Sequence, residues 1–318
     1  MGELVFVSGD FCSGSTLLFT LFRETKEYYC LYEPLHPKLR EYLIWPLRVY
    51  EHHYFVDDYF SEYRGFSRIG KLFQPDWAVR NLYLDANEKA DDLYRYLSYL
   101  IDTAFGRSEK VMLKFNRATF RLPWLRAKFP FAKIIHIHRD KQSQWKSIVS
   151  RAQEHVGRED IGQGSPTFEG FNIQSWCEDL KGVFPELAIE YSGTGFERFS
   201  KLHERSLAAH QANSDYSVEF RAFCHNFENL CAPMFQVAGC SADPTRLKPL
   251  IIQPQSERKP VERAESLHAR TMDLIHRVGR KYATARVHLQ DRYELLAKPR
   301  LSPVNESSPP PAATVANP

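Results

Sequence analysis

The chain has 318 residues, 43% hydrophobic and 14% aromatic, enough to bury a substantial core, and one main α/β domain is expected rather than two separate ones. Its 42 basic and 39 acidic side chains leave a net charge of +3, which argues against a general polyanion or nucleic-acid binder and makes any anion site local. The six cysteines form no C-x-x-C pair, no run reaches the ~18 apolar residues of a membrane span, and a strand begins within four residues of Met1; a cytoplasmic protein without signal peptide or membrane span is expected.

Val5-Phe6-Val7-Ser8 is an apolar strand run, and Thr16 to Arg23 carries Leu17, Leu18, Leu21 and Phe22 along one helical face. Between them, Gly9-x-x-x-x-Gly14 with Ser15-Thr16 forms a tight turn whose N–H groups, with those of the following helix, attract anions. The spacing matches G-x-x-x-x-G-K-[ST] except that Ser15 replaces the lysine that reaches the β- and γ-phosphates, which argues against ordinary ATP or GTP chemistry. Read alone, the loop is either a phosphate cradle or a strand-to-helix turn without a ligand.

Tyr28 to Tyr32 reads as a second strand ended by Glu33-Pro34-Leu35-His36-Pro37, completing a βαβ unit with a parallel sheet. Residues 38–106, rich in Tyr, Arg and Asp with one helix near Glu88 to Phe105, read as an insertion that covers the site and contacts the acceptor. Val111 to Phe115 resumes the sheet, Leu122 to Phe129 is a short amphipathic connection, and Lys133 to His138 is the next strand. Arg139-Asp140 closes it, at the end where open parallel sheets bind ligands. A helix from Lys141 to about Arg151, a lid-like loop from Gly157 to Gly170, helices around Trp176 and from Phe196 to Gln211, and an edge strand from Val218 to His225 follow. Asn229 to Ala238 and Val261 to Ala297 are helical by pattern; the single domain is expected over residues 1–298, with a disordered Pro/Ser/Ala-rich tail over 299–318.

Arg139, Ser147 eight residues on and Arg151 four further on share the mouth and one face of a helix, a spacing that suits a phosphate clamp as well as a solvated face. His136 and His138 have a spacing that metals accept, but no third ligand is evident and they read as a core pair.

In this order the motifs resemble the PAPS-dependent sulfotransferases, which move a sulfuryl group from 3′-phosphoadenosine 5′-phosphosulfate (PAPS) to an acceptor hydroxyl or amine and release PAP. Phe11 to Leu17 is similar to the family's 5′-phosphosulfate loop, P-[KR]-S-G-[ST]-[ST], and Ile135 to Ser147 to its 3′-phosphate motif; Arg151 matches a second arginine of the tyrosylprotein branch. Leu31-Tyr32-Glu33-Pro34-Leu35 is similar to the Glu-Pro run of carbohydrate sulfotransferases, and the tyrosylprotein enzymes place their base glutamate at this spacing. The likeness covers residues 4–37 and 111–151, with fainter echoes at Phe223 to Leu230, like a strand and Y-E-[DN]-L turn, and at Arg258-Lys259, like an R-K-G segment without its glycine.

The resemblance implies a P-loop nucleotide-binding α/β fold, a central parallel sheet with helices on both faces, and PAPS as co-substrate without a metal. It implies Cys12, Ser13, Gly14, Ser15 and Thr16 at the 5′-phosphosulfate, Arg139, Ser147, Arg151, Arg258 and Lys259 at the 3′-phosphate, and Glu33 as base with His36 in reserve. Cys12 stands where the family has Lys or Arg, and Lys114 is the expected substitute for that charge; Asn116 stands where the cytosolic branch has its catalytic histidine. The expected acceptor is a hydroxyl of a glycan, a phenolic or a lipid-linked small molecule. A P-loop nucleotide kinase and a catalytically degenerate nucleotide-binding protein are the alternatives.

Overall fold

The structure, a computed structural model, describes residues 2–44, 59–156, 167–168, 171–188 and 195–251. In chain order the elements are β1 (Glu3–Ser8), α1 (Ser15–Thr25), β2 (Tyr29–Tyr32), α2 (Leu39–Ile44), α3 (Ile69–Leu72), α4 (Asp91–Phe105), β3 (Lys110–Phe115), α5 (Leu122–Lys128), β4 (Lys133–His138) and α6 (Lys141–Val156). Then come β5 (Thr167–Phe168), β6 (Phe171–Asn172), α7 (Ile173–Leu180), α8 (Gly195–Asn213), β7 (Tyr216–Glu219), α9 (Phe220–His225) and α10 (Phe227–Ala238), with short 3-10 turns between some of them.

From Leu4 onward β1 is buried on both faces, which a strand can be only in the middle of a covered parallel sheet. It pairs in parallel with β3 on one side, Val7 opposite Lys114, and with β4 on the other, Ser8 opposite His136. β2 lies outside β3, with Tyr32 opposite Lys114, and β7 lies outside β4, with His138 opposite Glu219. The order β2-β3-β1-β4-β7 is therefore parallel throughout, with helices on both faces, and the chain changes direction of travel across β1. In such a sheet ligands bind beyond the carboxyl ends of the strands at the switch point, where the segment after Ser8 lies.

Side chains fix the layers. Phe6 of β1 makes edge contacts with Phe115 and Phe129, and Phe22 of α1 meets Phe235 of α10 at 5.5 Å between ring centroids. Helix α4 buries Leu93, Tyr96, Leu97, Leu100, Ile101 and Ala104 along one face, with Asp91 and Asp92 at its positive N-terminal end. A second apolar cluster, built from Phe11, Phe120, Ile148, Ile173, Trp176 and Phe199 among others, lies next to the loop after β1. Among the described residues no helix is long and apolar enough to cross a membrane.

Several elements differ from the sequence reading. The edge strand ends at Glu219 rather than running to His225: the Glu219 carboxylate accepts the Ala222 N–H at 2.7 Å and caps α9, so the alternation of Val218, Phe220 and Ala222 is coincidental beyond Glu219. Phe223 to Leu230 consequently falls in α9 and α10, and its likeness to a strand and turn does not correspond to the fold. Within the expected lid-like loop, Thr167–Phe168 pairs antiparallel with Phe171–Asn172; residues 157–166 and 169–170 lie outside the described residues. In the 38–106 stretch, Tyr59, Phe60, Tyr63 and Phe66 are buried around β2 as core, and Tyr63 and Tyr96 donate their hydroxyls to the Tyr32 and Pro34 carbonyls at 2.9 and 2.7 Å. The chain divides after Gln253 into two units, Met1–Gln253 and Pro254–Pro318; the second, with the expected helix over 261–297 and the tail, lies outside the described residues.

Leu113 is fully buried in β3 between β1 and β2. Leu113→Ala is expected to lower the unfolding free energy by about 2–5 kcal/mol in urea titrations, through lost burial and an incompletely collapsed cavity.

Candidate functional site

The loop after β1 is held from three sides. The Gly9 N–H bonds the Phe115 carbonyl at 3.2 Å, Gln144 of α6 donates to the Phe11 carbonyl at 2.8 Å, and the Asp10 carboxylate accepts Thr119 at 2.7 Å and also Ser206 of α8. Cys12 and Gly14 take left-handed backbone conformations, φ 62° and 104°, and a Cβ at Gly14 would collide with the Phe220 ring. Helix α1 begins at Ser15 with no side-chain cap, so its first N–H groups are offered to a ligand. Ser13 Oγ is buried and has no hydrogen-bond partner among the described residues, a costly arrangement for a hydroxyl that no ligand satisfies. Ser15 donates to the Asn116 side-chain carbonyl at 2.8 Å, and Thr16 lies 3.4 Å from the Tyr32 hydroxyl.

Beside the loop, the carboxyl ends of β2 and β3 carry a buried charge network. Glu33 has φ 45°, a strained backbone for a non-glycine residue, and its N–H bonds the Lys114 carbonyl at 2.9 Å. Its Oε1 accepts Lys114 Nζ at 2.6 Å, while Oε2 accepts Arg117 Nη1 at 3.1 Å and the Asn116 N–H at 3.3 Å. All three charged side chains are at most 2% exposed, so their pairing is obligatory. Lys114 Nζ also sits 4.4 Å from the centre of the Tyr32 ring. Arg117 was missed by the sequence reading; its signal is its place three residues after Lys114, where a strand gives way to a bend.

His36 comes out differently from its expected reserve role. Its Nδ1 accepts the Lys38 N–H at 3.1 Å, and burial, reinforced by the Arg117 and Lys114 charges, holds its pKa well below the ordinary imidazole value. The lone pair that a base needs is already used.

On the other side of the loop, Arg139 donates to Ser147 Oγ at 2.9 Å, which joins the two residues predicted for one phosphate. The Arg139 guanidinium lies 5.3 Å from the centre of the Phe220 ring, and the His203 imidazole donates to the Arg139 carbonyl at 3.0 Å. Arg151 follows Ser147 by one turn on α6. Asp140 accepts the Ser143 N–H at 2.9 Å, which caps α6 and depresses its pKa. Arg258 and Lys259 lie outside the described residues. His136 is buried, stacks on His210 at 3.7 Å between ring centroids and bonds Ser217 at 2.8 Å; His138, expected to form a core pair with it, is only half-buried and lies farther off, at 5.3 Å. Among the described residues no group of His, Cys, Asp or Glu could hold a metal ion.

The sulfotransferase family profile matches residues 5–184 of the 318, more than half of the chain, and this span contains the loop, Glu33, Lys114, Arg139, Ser147 and Arg151. The chain belongs to the sulfotransferase family. Two solved structures resemble this sulfotransferase: STF1 from Mycobacterium tuberculosis H37Rv, 16% identical over 78% of this chain and 70% of that one, and STF9 from Mycobacterium avium, 13% identical over 86% and 76%, each with a TM-score of 0.43. No curated protein matches it.

The buried histidines of this sulfotransferase make its stability depend on pH. Burial depresses the pKa of both His36 and His136, so the folded chain keeps them neutral while the unfolded chain protonates them below about pH 6.5. The unfolded state then binds more protons, and stability present above that pH is lost as the pH falls. Urea titrations are expected to show about 1 kcal/mol lost per histidine between pH 6.5 and 5.5; stability that stays flat over this interval contradicts the assignment.

Proposed function

We propose that this sulfotransferase uses PAPS as donor and a hydroxyl of a small-molecule or glycan as acceptor, with Glu33 as base. The observation that supports the reading is that the Ser13 to Thr16 loop follows β1 and the Arg139–Ser147 pair follows β4, at the carboxyl ends of two neighbouring parallel strands, with the buried Glu33 carboxylate following β2 at the same end of the sheet. Two anion sets suit a donor with phosphates at both ends of its ribose better than a linear triphosphate, which also wants the lysine that Ser15 replaces. The residues fit this donor on structural grounds: Ser13 Oγ is buried and unsatisfied, and the helix behind it is uncapped.

The 5′-phosphosulfate is assigned to the backbone N–H groups of Cys12 to Thr16 with the hydroxyls of Ser13, Ser15 and Thr16, and the 3′-phosphate to Arg139, Ser147 and Arg151. The donor supplies an electrophilic sulfur and a phosphate leaving group. Glu33 takes the acceptor hydroxyl's proton as the new oxygen–sulfur bond forms and the bond to the 5′-phosphate oxygen breaks. Lys114, 2.6 Å from Glu33, is the proposed donor to the oxygen left on that phosphate. The acceptor's identity as carbohydrate, phenolic or lipid-linked compound is a matter for a screen with radiolabelled PAPS.

Calorimetry with PAP at micromolar protein is expected to show binding, and Arg139→Ala to weaken it by about 2–4 kcal/mol. Absence of PAP affinity overturns the reading, and magnesium-dependent ATP turnover replaces it with a kinase. Glu33→Gln is expected to keep PAP affinity while removing transfer, because the amide conserves shape but cannot accept the proton; unaltered turnover moves the base elsewhere.

A further inference from the structure

We propose, resting on the donor reading above and deepening it, that Gln144 is a positioning residue for the donor loop: its side-chain amide holds the Phe11–Cys12 peptide in the orientation that suits the 5′-phosphosulfate end of the donor.

Gln144 is a polar residue in a core position. Within residues 141–150 of α6 only Gln144 and Ile148 are buried, one turn apart on the inward face, and Ile148 belongs to the apolar cluster that also contains Phe11. A primary amide at 1% exposure is costly there unless it is hydrogen-bonded. Its Nε2 donates to the Phe11 carbonyl at 2.8 Å, an acceptor that only the nitrogen side of the amide can satisfy.

The peptide it holds is the central one of a β-turn. The Ser13 N–H bonds the Asp10 carbonyl at 3.1 Å, which makes Phe11 and Cys12 the two central residues, and of these Cys12 alone has a positive φ, 62°. That sign pattern is type II, which favours glycine or asparagine at its second central position. Type I differs from it chiefly by a half-turn of the central peptide and would give the cysteine an ordinary negative φ. The local sequence therefore leans towards type I, and the bond from Gln144 selects type II. Because the peptide is planar and trans, a carbonyl held against Gln144 directs the Cys12 N–H the opposite way. A flip would put the negative end of the carbonyl there instead. The reading above gives that N–H to the 5′-phosphosulfate, so the flip would replace a donor to the anion by a repulsive lone pair. Gln144 lies about one turn before Ser147, so the helix that carries the serine paired with Arg139 also fixes the turn of the loop.

The test measures calorimetrically the affinity for PAP and for adenosine 3′-monophosphate, which differ only by the 5′-phosphate, the weaker ligand being read through displacement of PAP. It compares wild type, Gln144→Met, Gln144→Asn and Cys12→Gly with the double variants Cys12→Gly/Gln144→Met and Cys12→Gly/Gln144→Asn. Gln144→Met is expected to lose about tenfold in PAP affinity while staying within about threefold of wild type for the 3′-monophosphate. With Cys12→Gly in place, the same substitution is expected to cost less than about threefold in PAP affinity, because glycine adopts the positive φ without help. A packing role for Gln144 would not respond to the backbone freedom of position 12. Should Gln144→Met fail to fold, Gln144→Asn, whose amide is one methylene too short to reach the carbonyl, carries the decision with the same two expectations. Equal losses for both ligands, unaltered PAP affinity, or equal PAP losses with and without Cys12→Gly overturn the proposal. A wild-type protein without PAP affinity overturns the donor reading and this proposal together, whereas normal wild-type binding with any of those three results overturns this proposal alone.

Discussion

Parallel pairing of β1 between β3 and β4 is the constraint on which everything at the site depends. Because Val7 is in register with Lys114 and Ser8 with His136, the segments that follow these strands emerge at the same end of the sheet. The loop after β1 thereby lies between the Lys114 to Arg117 run that ends β3 and Arg139 that follows β4. The same pairing of β2 with β3 puts Tyr32 beside Lys114 and delivers Glu33 to the lysine that binds it. A slip of one residue in either pairing would turn these side chains to the opposite face.

Burial then decides what the assembled groups can do. Glu33 is almost wholly withdrawn from water, in a strained backbone conformation, and is held by two cations and a backbone N–H. Such an arrangement is destabilising unless its geometry is well satisfied, and it survives because the surrounding core over-determines it. Tyr63 and Tyr96 clamp the carbonyls on either side of Glu33, and Tyr59 and Phe60 pack on Tyr32. Aromatic richness in this region therefore serves the rigidity of the carboxylate. The loop is fixed in the same manner from the other direction by Phe11, whose ring sits between Trp176 and the Arg117 guanidinium.

The glycine loop and the Arg139–Ser147 pair share one neighbour. Phe220 packs against Gly14 of the loop and lies near the Arg139 guanidinium, so the first residue after β7 links the two. It can do so only because the strand stops at Glu219, where the capping bond to Ala222 turns the chain into α9. The termination that the sequence pattern obscured is thus part of what shapes the site.

Local chemistry was sufficient to show the strand, glycine turn and helix over residues 5–23, the Glu-Pro ending of the second strand, and the Arg139–Ser147 spacing, because each is written within one short consecutive stretch and depends on backbone geometry or helical periodicity. Only the tertiary structure decided how those pieces combine. Arg117 acquires meaning from Glu33, 84 residues away, and His36 has its basicity lowered by burial and by cations in and just after β3. Lys114, expected to stand in for the charge missing at Cys12, is also bound to Glu33, a pairing that spans 81 residues of chain. The reason is physical: charge pairing and desolvation depend on distance through space, and a linear sequence displays spacing along the chain but not the dielectric surroundings into which folding delivers each side chain.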